Sequence, residues 1–241
     1  MRSYFLGLIL LVCSTASADV FNINLMAYYT SQTVYKGAQI WPKSSFLAAP
    51  GLQFFDRRLS VYGPNISWKF HSSKEAPFKL TTGARYWDDD RPMIRLARGD
   101  EDYRNQRSSI LEYYIKSEYN FGWKNKFGLG FYIGRELIRY KKWYFDFHAK
   151  APILPYTSLV GTISHAQGDT NRYLYGPESV SGWGYGSLGI RFVIPFVPWD
   201  GIIINTLEKT WVLQGANKNA DYVRGNTDHL SFNTRWVWNA F

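Results

Sequence analysis

The sequence contains a single cysteine, Cys13, and it lies in the apolar segment that begins the chain. Cleavage of that segment would leave no thiol, which excludes a disulfide framework, a cysteine nucleophile and a cysteine-ligated zinc site. Beyond this segment the chain also lacks any run of about 18 consecutive apolar residues, so the sequence offers no transmembrane helix.

The first residues have the three parts of a secretory signal peptide. Arg2 supplies the positive charge, residues 5–12 form the apolar region, and Ala16-Ser17-Ala18 matches the small-residue cleavage pattern. We therefore expect residues 1–18 to be a cleaved signal peptide. No later stretch resembles a linker, so residues 19–241 are expected to form one domain that starts at Asp19.

Aromatic residues make up 18% of the chain. This excess suits a membrane β-barrel, in which girdles of Trp and Tyr flank an apolar outer belt, although aromatic residues also suit the strands of a soluble domain. The formal net charge is +9, and the basic residues are scattered rather than clustered. Together with secretion, this excludes nucleic acid as a partner and favours outer-membrane lipid headgroups, lipopolysaccharide or cell-wall polymer.

Polar and apolar residues alternate along several segments of about ten residues. In residues 78–86, Phe78 and Tyr86 lie on one face, whereas Lys79 and Arg85 lie on the other. The alternation predicts half-buried strands. With the signal peptide and the aromatic excess, it favours an all-β, transmembrane, antiparallel up-and-down barrel in the Gram-negative outer membrane over a soluble sandwich. The charged side chains expected to line its lumen are Lys79, Arg85, Glu112, Lys116, Glu118, Asp146, Lys150, Arg191 and Arg235.

Turn signals divide the chain into ten candidate strands, at 45–56, 58–70, 77–88, 109–121, 126–138, 141–150, 155–166, 184–196, 201–213 and 227–240. Residues 20–41 add either two more strands, with a break near Ser31-Gln32, or a segment inside the lumen; we favour twelve strands over ten. The long connections (89–108, 167–183 and 214–226) then share one end, and the short ones (71–76, 122–125, 151–154 and 197–200) share the other. Outer-membrane barrels place long connections outside and short ones in the periplasm.

Several short stretches resemble the MipA/OmpV family of outer-membrane proteins. They are Tyr35-Lys36-Gly37, Ala49-Pro50, Asp56-Arg57-Arg58, Val61-Tyr62-Gly63-Pro64, Gly83-Ala84-Arg85-Tyr86 with Asp88-Asp89-Asp90, and Tyr173-Leu174-Tyr175-Gly176 with Glu178. The resemblance implies a non-enzymatic barrel and a scaffold that joins a murein lytic transglycosylase to a penicillin-binding protein, linking the outer membrane to peptidoglycan synthesis and turnover. A small channel and a surface adhesin are the alternatives.

The sequence gives little support to catalysis, a cofactor or a metal. Asp146 and His148 share a strand face, and Ser158 or Ser164 could supply a nucleophile, but a lumenal charge network explains the same pattern. The acidic runs Asp88-Asp89-Asp90 and Asp100-Glu101-Asp102 fit no calcium-binding loop and are interspersed with arginines. We therefore expect no enzyme and no bound cofactor or metal.

A scaffold with periplasmic partners would have to contact them at the periplasmic end of the barrel. The expected contact residues are Trp41, Pro42 and Lys43 in one turn, provided that the barrel has twelve strands, and Pro198, Trp199 and Asp200 in another. Trp41 and Trp199 are the expected anchors, because Trp is enriched among binding hot spots. Opposite charges in the lumen are expected to pair across strands and fill the barrel, since unpaired buried charge is costly.

Overall fold

A computed structural model describes residues 21–70, 76–87, 94–95, 109–122, 127–138, 141–196, 201–223 and 226–239 of the chain. The expected signal peptide and the acidic runs at 88–90 and 100–102 lie outside these residues. So do Pro198, Trp199 and Asp200.

The described residues form short and long strands with two small helices. The strands are β1 (Phe21–Thr30), β2 (Thr33–Tyr35), β3 (Ala38–Trp41), β4 (Ser45–Phe54), β5 (Leu59–Tyr62), β6 (Asn65–Lys69), β7 (Phe78–Trp87), β8 (Ile94–Arg95), β9 (Ile110–Phe121), β10 (Phe127–Glu136), β11 (Trp143–Leu154), β12 (Thr157–Ala166), β13 (Gly182–Phe196), β14 (Gly201–Val212) and β15 (Asp228–Asn239). The helices are α1 (Gly168–Tyr175) and α2 (Gly215–Lys218). Neither helix is long and apolar enough to cross a membrane.

Within the described part of the chain, twelve of these strands close into an antiparallel barrel. Its order runs from β1 through β15, β14, β13, β12, β11, β10, β9, β7, β6 and β5 to β4, and β4 pairs with β1 to close the circle. Closure gives every strand of the ring a neighbour on both sides, which a spanning sheet requires because lipid cannot satisfy backbone groups. β8 pairs only with the first residues of β4, and β2 and β3 form a separate hairpin.

The strand register confirms the predicted faces of the wall. Lys79 of β7 lies opposite Glu118 of β9, and Arg85 lies opposite Glu112, so these side chains point into the barrel together. The alternate residues point outward and are largely apolar. Among the exposed outward side chains are Leu25, Ile66, Tyr113, Ile115, Tyr119, Leu129, Phe147, Leu159, Ile163, Leu188, Ile190, Leu207, Leu230 and Phe232.

A closed barrel with an apolar outer wall and a polar interior is the architecture of Gram-negative outer-membrane proteins. The chain is a protein of that membrane. Its apolar outer surface is therefore covered by lipid rather than by a second protein layer.

Twelve strands arise in a way that the sequence did not indicate. The segment predicted as one strand at 58–70 is two strands, β5 and β6, joined by a turn at Gly63-Pro64. Residues 20–41 were expected to form either two wall strands or a segment inside the lumen. They form one wall strand, β1, followed by the β2–β3 hairpin, so each alternative is correct for part of the segment. The turn predicted at 151–154 belongs to β11, and the chain reverses at residues 155–156 instead.

Candidate functional site

One end of the barrel is covered by a cap, by which we mean the β2–β3 hairpin, α1 and residues 213–223. The hairpin leaves the wall after Thr30 of β1 and returns at Ser45 of β4. Its tip nevertheless contacts β10 and β11, which lie on the far side of the ring from β1 and β4. The hairpin therefore reaches across the mouth of the barrel.

The tip of the hairpin is a two-residue turn. Lys36 and Gly37 have φ angles of 50° and 80°, the left-handed conformations that a type I′ turn needs at both central positions. A Cβ atom at Gly37 would overlap the side chain of Tyr185, so glycine is required there for space as well as for conformation. The turn thereby presents the Lys36 side chain to the barrel wall.

Apolar packing and hydrogen bonds join the parts of the cap. Ala38, Ile40, Tyr175 and Val212 belong to one buried cluster that connects the hairpin to α1 and to the end of β14. The Tyr175 hydroxyl donates a 2.7 Å hydrogen bond to the carbonyl oxygen of Lys36. Burial of this cluster supplies the hydrophobic free energy that holds the cap together.

Beneath the hairpin tip lies a group of buried tyrosines and ionisable side chains. The Arg85 Nη2 atom is 2.9 Å from Glu112 Oε1 and 3.3 Å from the Tyr35 hydroxyl. The Tyr132 hydroxyl also donates to Glu112, whose side chain is 1% exposed. Arg85 and Glu112 thus form one cross-strand pair of the general kind expected for opposite charges in the lumen, and the pair carries additional hydrogen bonds that stabilise buried charge.

Lys36 occupies a pocket against this group, which we call the Lys36 pocket and define by Glu112, Tyr132, Tyr144 and Asp146. Its Nζ atom lies over the ring of Tyr144 and is 5.8 Å from the centroid of Tyr132. Burial lowers the pKa of Lys36 to about 8, although Asp146 and Glu112 act in the opposite direction. The Lys36 side chain is the one part of the hairpin that brings a charge into the lumen wall.

At the other end of the lumen the wall is basic, and we call this region the vestibule. A cavity of about 260 Å³ lies there against Lys116, His148, Lys150 and Arg191, with Glu118 and Glu208 also in its lining. By strand register, Lys69, Lys79 and Arg235 point into the same part of the barrel. Lumen-facing glycines at 128, 130 and 189 leave it open, because they place no side chain opposite the long basic ones.

Charge pairing in the vestibule differs from the expectation. Lys116 pairs with Glu118 on its own strand at 3.0 Å. Among the described residues, however, Lys150, Arg191 and Arg235 have no carboxylate within ion-pair distance, and the Arg191 Nε atom instead lies 3.4 Å from the Thr206 hydroxyl. The charge network therefore does not fill the barrel; the hairpin fills its capped end instead.

The structure does not assemble the candidate catalytic group. Asp146 and His148 do share the lumen face, but Ser164 lies opposite Asp146 and Ser158 lies opposite Pro152. The His148 Nδ1 atom contacts the Thr162 hydroxyl at 2.9 Å. Within the part of the chain that is described, no serine hydroxyl is bonded to His148, so the nucleophile and base of an acyl-transfer site are not brought together.

Of the predicted partner-binding residues, only Trp41, Pro42 and Lys43 are described. They lie in the connection that leads from β1 to β4 at the capped end, whereas the last described residues of β13 lie at the end where β1 begins. Trp41 is 1% exposed and belongs to the cap. The placement of Trp41-Pro42-Lys43 beside the short turns was therefore wrong, because the hairpin starts and ends at the same barrel mouth.

Sequence patterns point only weakly to the residues that form the Lys36 pocket. Lys36 lies in a short stretch that resembles the MipA/OmpV family, and Tyr132 and Tyr144 lie in predicted strands with no feature that marks them as site residues. A hairpin signal was present, since Lys36-Gly37 separates two segments rich in β-formers. Three of the stretches that carry the resemblance meet here, because Tyr35 contacts Arg85 and Tyr175 bonds to Lys36.

Comparison with models of known protein families finds no match, and neither does comparison with curated protein sequences. Among solved structures, the chain is similar to an outer-membrane channel from Pseudomonas putida F1, with a TM-score of 0.44 and 10% identity over 93% of this chain and 97% of that one. It is also similar to the NanC porin, with a TM-score of 0.40 and 8% identity over 92% and 100% of the two chains. OprD from Pseudomonas aeruginosa gives a TM-score of 0.40 and 10% identity over 90% and 65%. Likenesses of this size carry no argument about what this chain binds or conducts.

Proposed function

We propose that the chain is a small outer-membrane channel for anions, which the cap holds in a narrow state. The observation that carries this proposal is the basic lining of the vestibule. Anion and phosphate pores are lined by Arg and Lys side chains, whose charge attracts the solute and lowers the barrier to its entry.

The arrangement of charge in the vestibule supports anions over cations. Lys150, Arg191 and Arg235 are exposed to the lumen, and within the described residues no carboxylate lies within ion-pair distance of them, although Glu118 and Glu208 line the same cavity. A positive charge inside a membrane protein is tolerated where it faces water or a counter-ion. The low-dielectric wall concentrates the field of these side chains along the lumen, which raises the local concentration of mobile anions.

The cap should lower the conductance of the channel, because it covers one mouth of the barrel. A solute that has passed the vestibule meets the Lys36 turn and the buried cluster of Ala38, Ile40 and Tyr175 at the other end of the barrel. The cavity beside the Lys36 turn has a volume of about 20 Å³, against about 260 Å³ for the cavity of the vestibule. The channel should therefore show small or infrequent openings rather than the steady large conductance of an open pore.

Ion selectivity in planar lipid bilayers tests the proposal. With a potassium chloride gradient across the membrane, the reversal potential of the purified protein should indicate a preference for chloride. The triple variant Lys150→Gln, Arg191→Gln, Arg235→Gln should lose most of that preference. The matched control is Lys142→Gln, Lys209→Gln, which removes charges from exposed ion pairs with Asp169 and Asp228 outside the lumen. Cation selectivity of the wild type, or equal selectivity of the two variants, would contradict the proposal.

Membership of the MipA/OmpV family, and with it a scaffold role between a murein lytic transglycosylase and a penicillin-binding protein, stays a hypothesis based on the short sequence resemblance. If it holds, the contact must use the end that carries the short turns, where Pro198, Trp199 and Asp200 follow β13 in the chain. Cross-linking in cell envelopes, followed by mass spectrometry, tests it: Trp199→Ala should reduce capture of murein enzymes, whereas Trp41→Ala should act only through the cap.

A further inference from the structure

The Lys36 ammonium group is held in an unusual way. Its Nζ atom is buried, yet no hydrogen-bond acceptor lies within reach of it among the described residues. It is surrounded instead by ring faces, over Tyr144 and at 5.6 Å and 5.8 Å from the centroids of Tyr35 and Tyr132. An ammonium group carries three donors, so cation–π attraction compensates only part of what it loses on leaving water.

The pocket around it has acceptor capacity that Lys36 does not use. Asp146 Oδ1 is buried and has no hydrogen-bond partner among the described residues. Glu112 is engaged by Arg85 and Tyr132, which fix its position. Ring faces beside a carboxylate oxygen with a free lone pair are the groups that recognise an organic ammonium ion.

Unfilled space also adjoins the pocket. A cavity of about 20 Å³ lies beside Lys36, lined by Glu112, Tyr144, Thr170 and Leu174. This volume is enough for about one water molecule. If the hairpin tip withdrew, the volume of the Lys36 side chain would be added to it, and the pocket would then accept a short alkylammonium chain.

The walls of the pocket and its occupant belong to different parts of the fold. Glu112, Tyr132, Tyr144 and Asp146 are fixed in the strand ladders of β9, β10 and β11. Lys36 lies at the tip of a hairpin that pairs with no wall strand. The tip is held by the hydrogen bond from Tyr175, by ring contacts and by packing of the hairpin against the buried cluster. Its withdrawal would break these contacts but no hydrogen bond of the strand ladders that form the walls.

We propose that the Lys36 pocket is a binding site for a small organic cation with a primary ammonium group, and that Lys36 occupies this site as an internal competitor. Ligand binding and insertion of the hairpin tip are then mutually exclusive, because both place an ammonium group against Tyr144. The site stands independently of the proposed channel function. Only its effect on conductance would rest on that function.

Binding of n-butylammonium, which matches the Lys side chain in length, tests the site by titration calorimetry on the refolded barrel. Lys36→Ala should bind this probe at least about tenfold more tightly than the wild type, whereas Lys43→Ala, an exposed lysine in the same connection, should resemble the wild type. The double variant Lys36→Ala, Tyr144→Leu should lose the increased affinity for n-butylammonium. Absence of binding by a folded Lys36→Ala barrel, or binding that survives Tyr144→Leu, would overturn the proposal.

A second measurement uses the native Lys36 and does not depend on the folding of that variant. A nitroxide attached at Lys43→Cys reports the mobility of the hairpin connection by electron paramagnetic resonance. n-Butylammonium chloride should increase this mobility, whereas sodium chloride at equal ionic strength should not. An unchanged spectrum up to saturating probe, or the same change with both salts, would overturn competition between ligand and hairpin whatever the channel measurements give.

Discussion

The ammonium group of Lys36 lies over the ring of Tyr144, on the opposite side of the barrel from the strands that carry the hairpin. This contact places a positive charge among Glu112 of β9, Asp146 of β11 and Arg85 of β7. It also fixes where the hairpin crosses the mouth.

The stability of the barrel should depend on the protonation of Lys36. Its pKa is lowered by burial from an ordinary value of 10.5 to about 8 in the folded chain, so the unfolded chain binds more protons between these two values. Stability contributed by Lys36 therefore rises with pH over this range and is constant below it. Between pH 7.5 and 9.5, the free energy of unfolding of the wild type should increase by about 1–2 kcal/mol more than that of Lys36→Met. Urea unfolding at both pH values measures this, and equal pH dependence of the two proteins would refute it.

Removing the charge of Glu112 should destabilise the capped end. Glu112→Gln keeps a similar shape but leaves Arg85, whose side chain is 31% exposed, without its ionic partner. We expect a loss of about 1–3 kcal/mol in the free energy of unfolding. Glu118→Gln is the control, because its pair with Lys116 is exposed at 44% and 38% and should contribute less than about 1 kcal/mol. If both variants lost a similar free energy of unfolding, the buried ion pair would contribute no more to stability than the exposed one, which would contradict the prediction.

A polar pair on the outward face should be coupled. The Thr234 hydroxyl donates a 2.9 Å hydrogen bond to Asn205 Oδ1, and both residues are buried although they point toward lipid. Thr234→Val should cost about 1–3 kcal/mol, because it leaves the Asn205 oxygen without this donor. The double variant Asn205→Leu, Thr234→Val should recover most of the loss, since no polar group is then left unpaired. Urea unfolding in lipid vesicles measures both, and additive losses would exclude coupling.

The capped end should face the cell exterior. Ala216→Cys places a thiol on α2 in the cap, and Tyr156→Cys places one in the turn between β11 and β12, where the native side chain is 70% exposed. A membrane-impermeant maleimide should label the first variant in intact cells. It should label the second only after the outer membrane is permeabilised. Labelling of Tyr156→Cys but not of Ala216→Cys in intact cells would show that the barrel has the opposite orientation, with the vestibule facing the cell exterior.

The inward and outward faces of the wall strands could be predicted from the sequence, because they depend only on the alternation of neighbouring residues. Successive side chains of a strand point to opposite sides, so alternation in residues 78–86 already separated Lys79 and Arg85 from Phe78 and Tyr86. The same reasoning missed the reversal at Gly63-Pro64, because it treats residues 58–70 as one alternating segment. The outward residues change there from Leu59 and Val61 to Ile66 and Trp68, which are one position out of phase. A two-residue turn produces this shift, since the residues that flank it face each other on the same side of the sheet.

The sequence by itself determined which side chains face lipid and which face the lumen, together with the basic character of the lumen wall. Only the tertiary structure decided that the hairpin crosses the mouth, that Trp41 is buried in the cap and that Lys36 meets Tyr132 and Tyr144. These contacts join residues about a hundred positions apart, and their geometry depends on how the ring closes and on the path of a hairpin that pairs with no wall strand. No local periodicity encodes that path, because it is set by contacts of the hairpin with α1, β14 and the barrel wall, which are distant in the sequence.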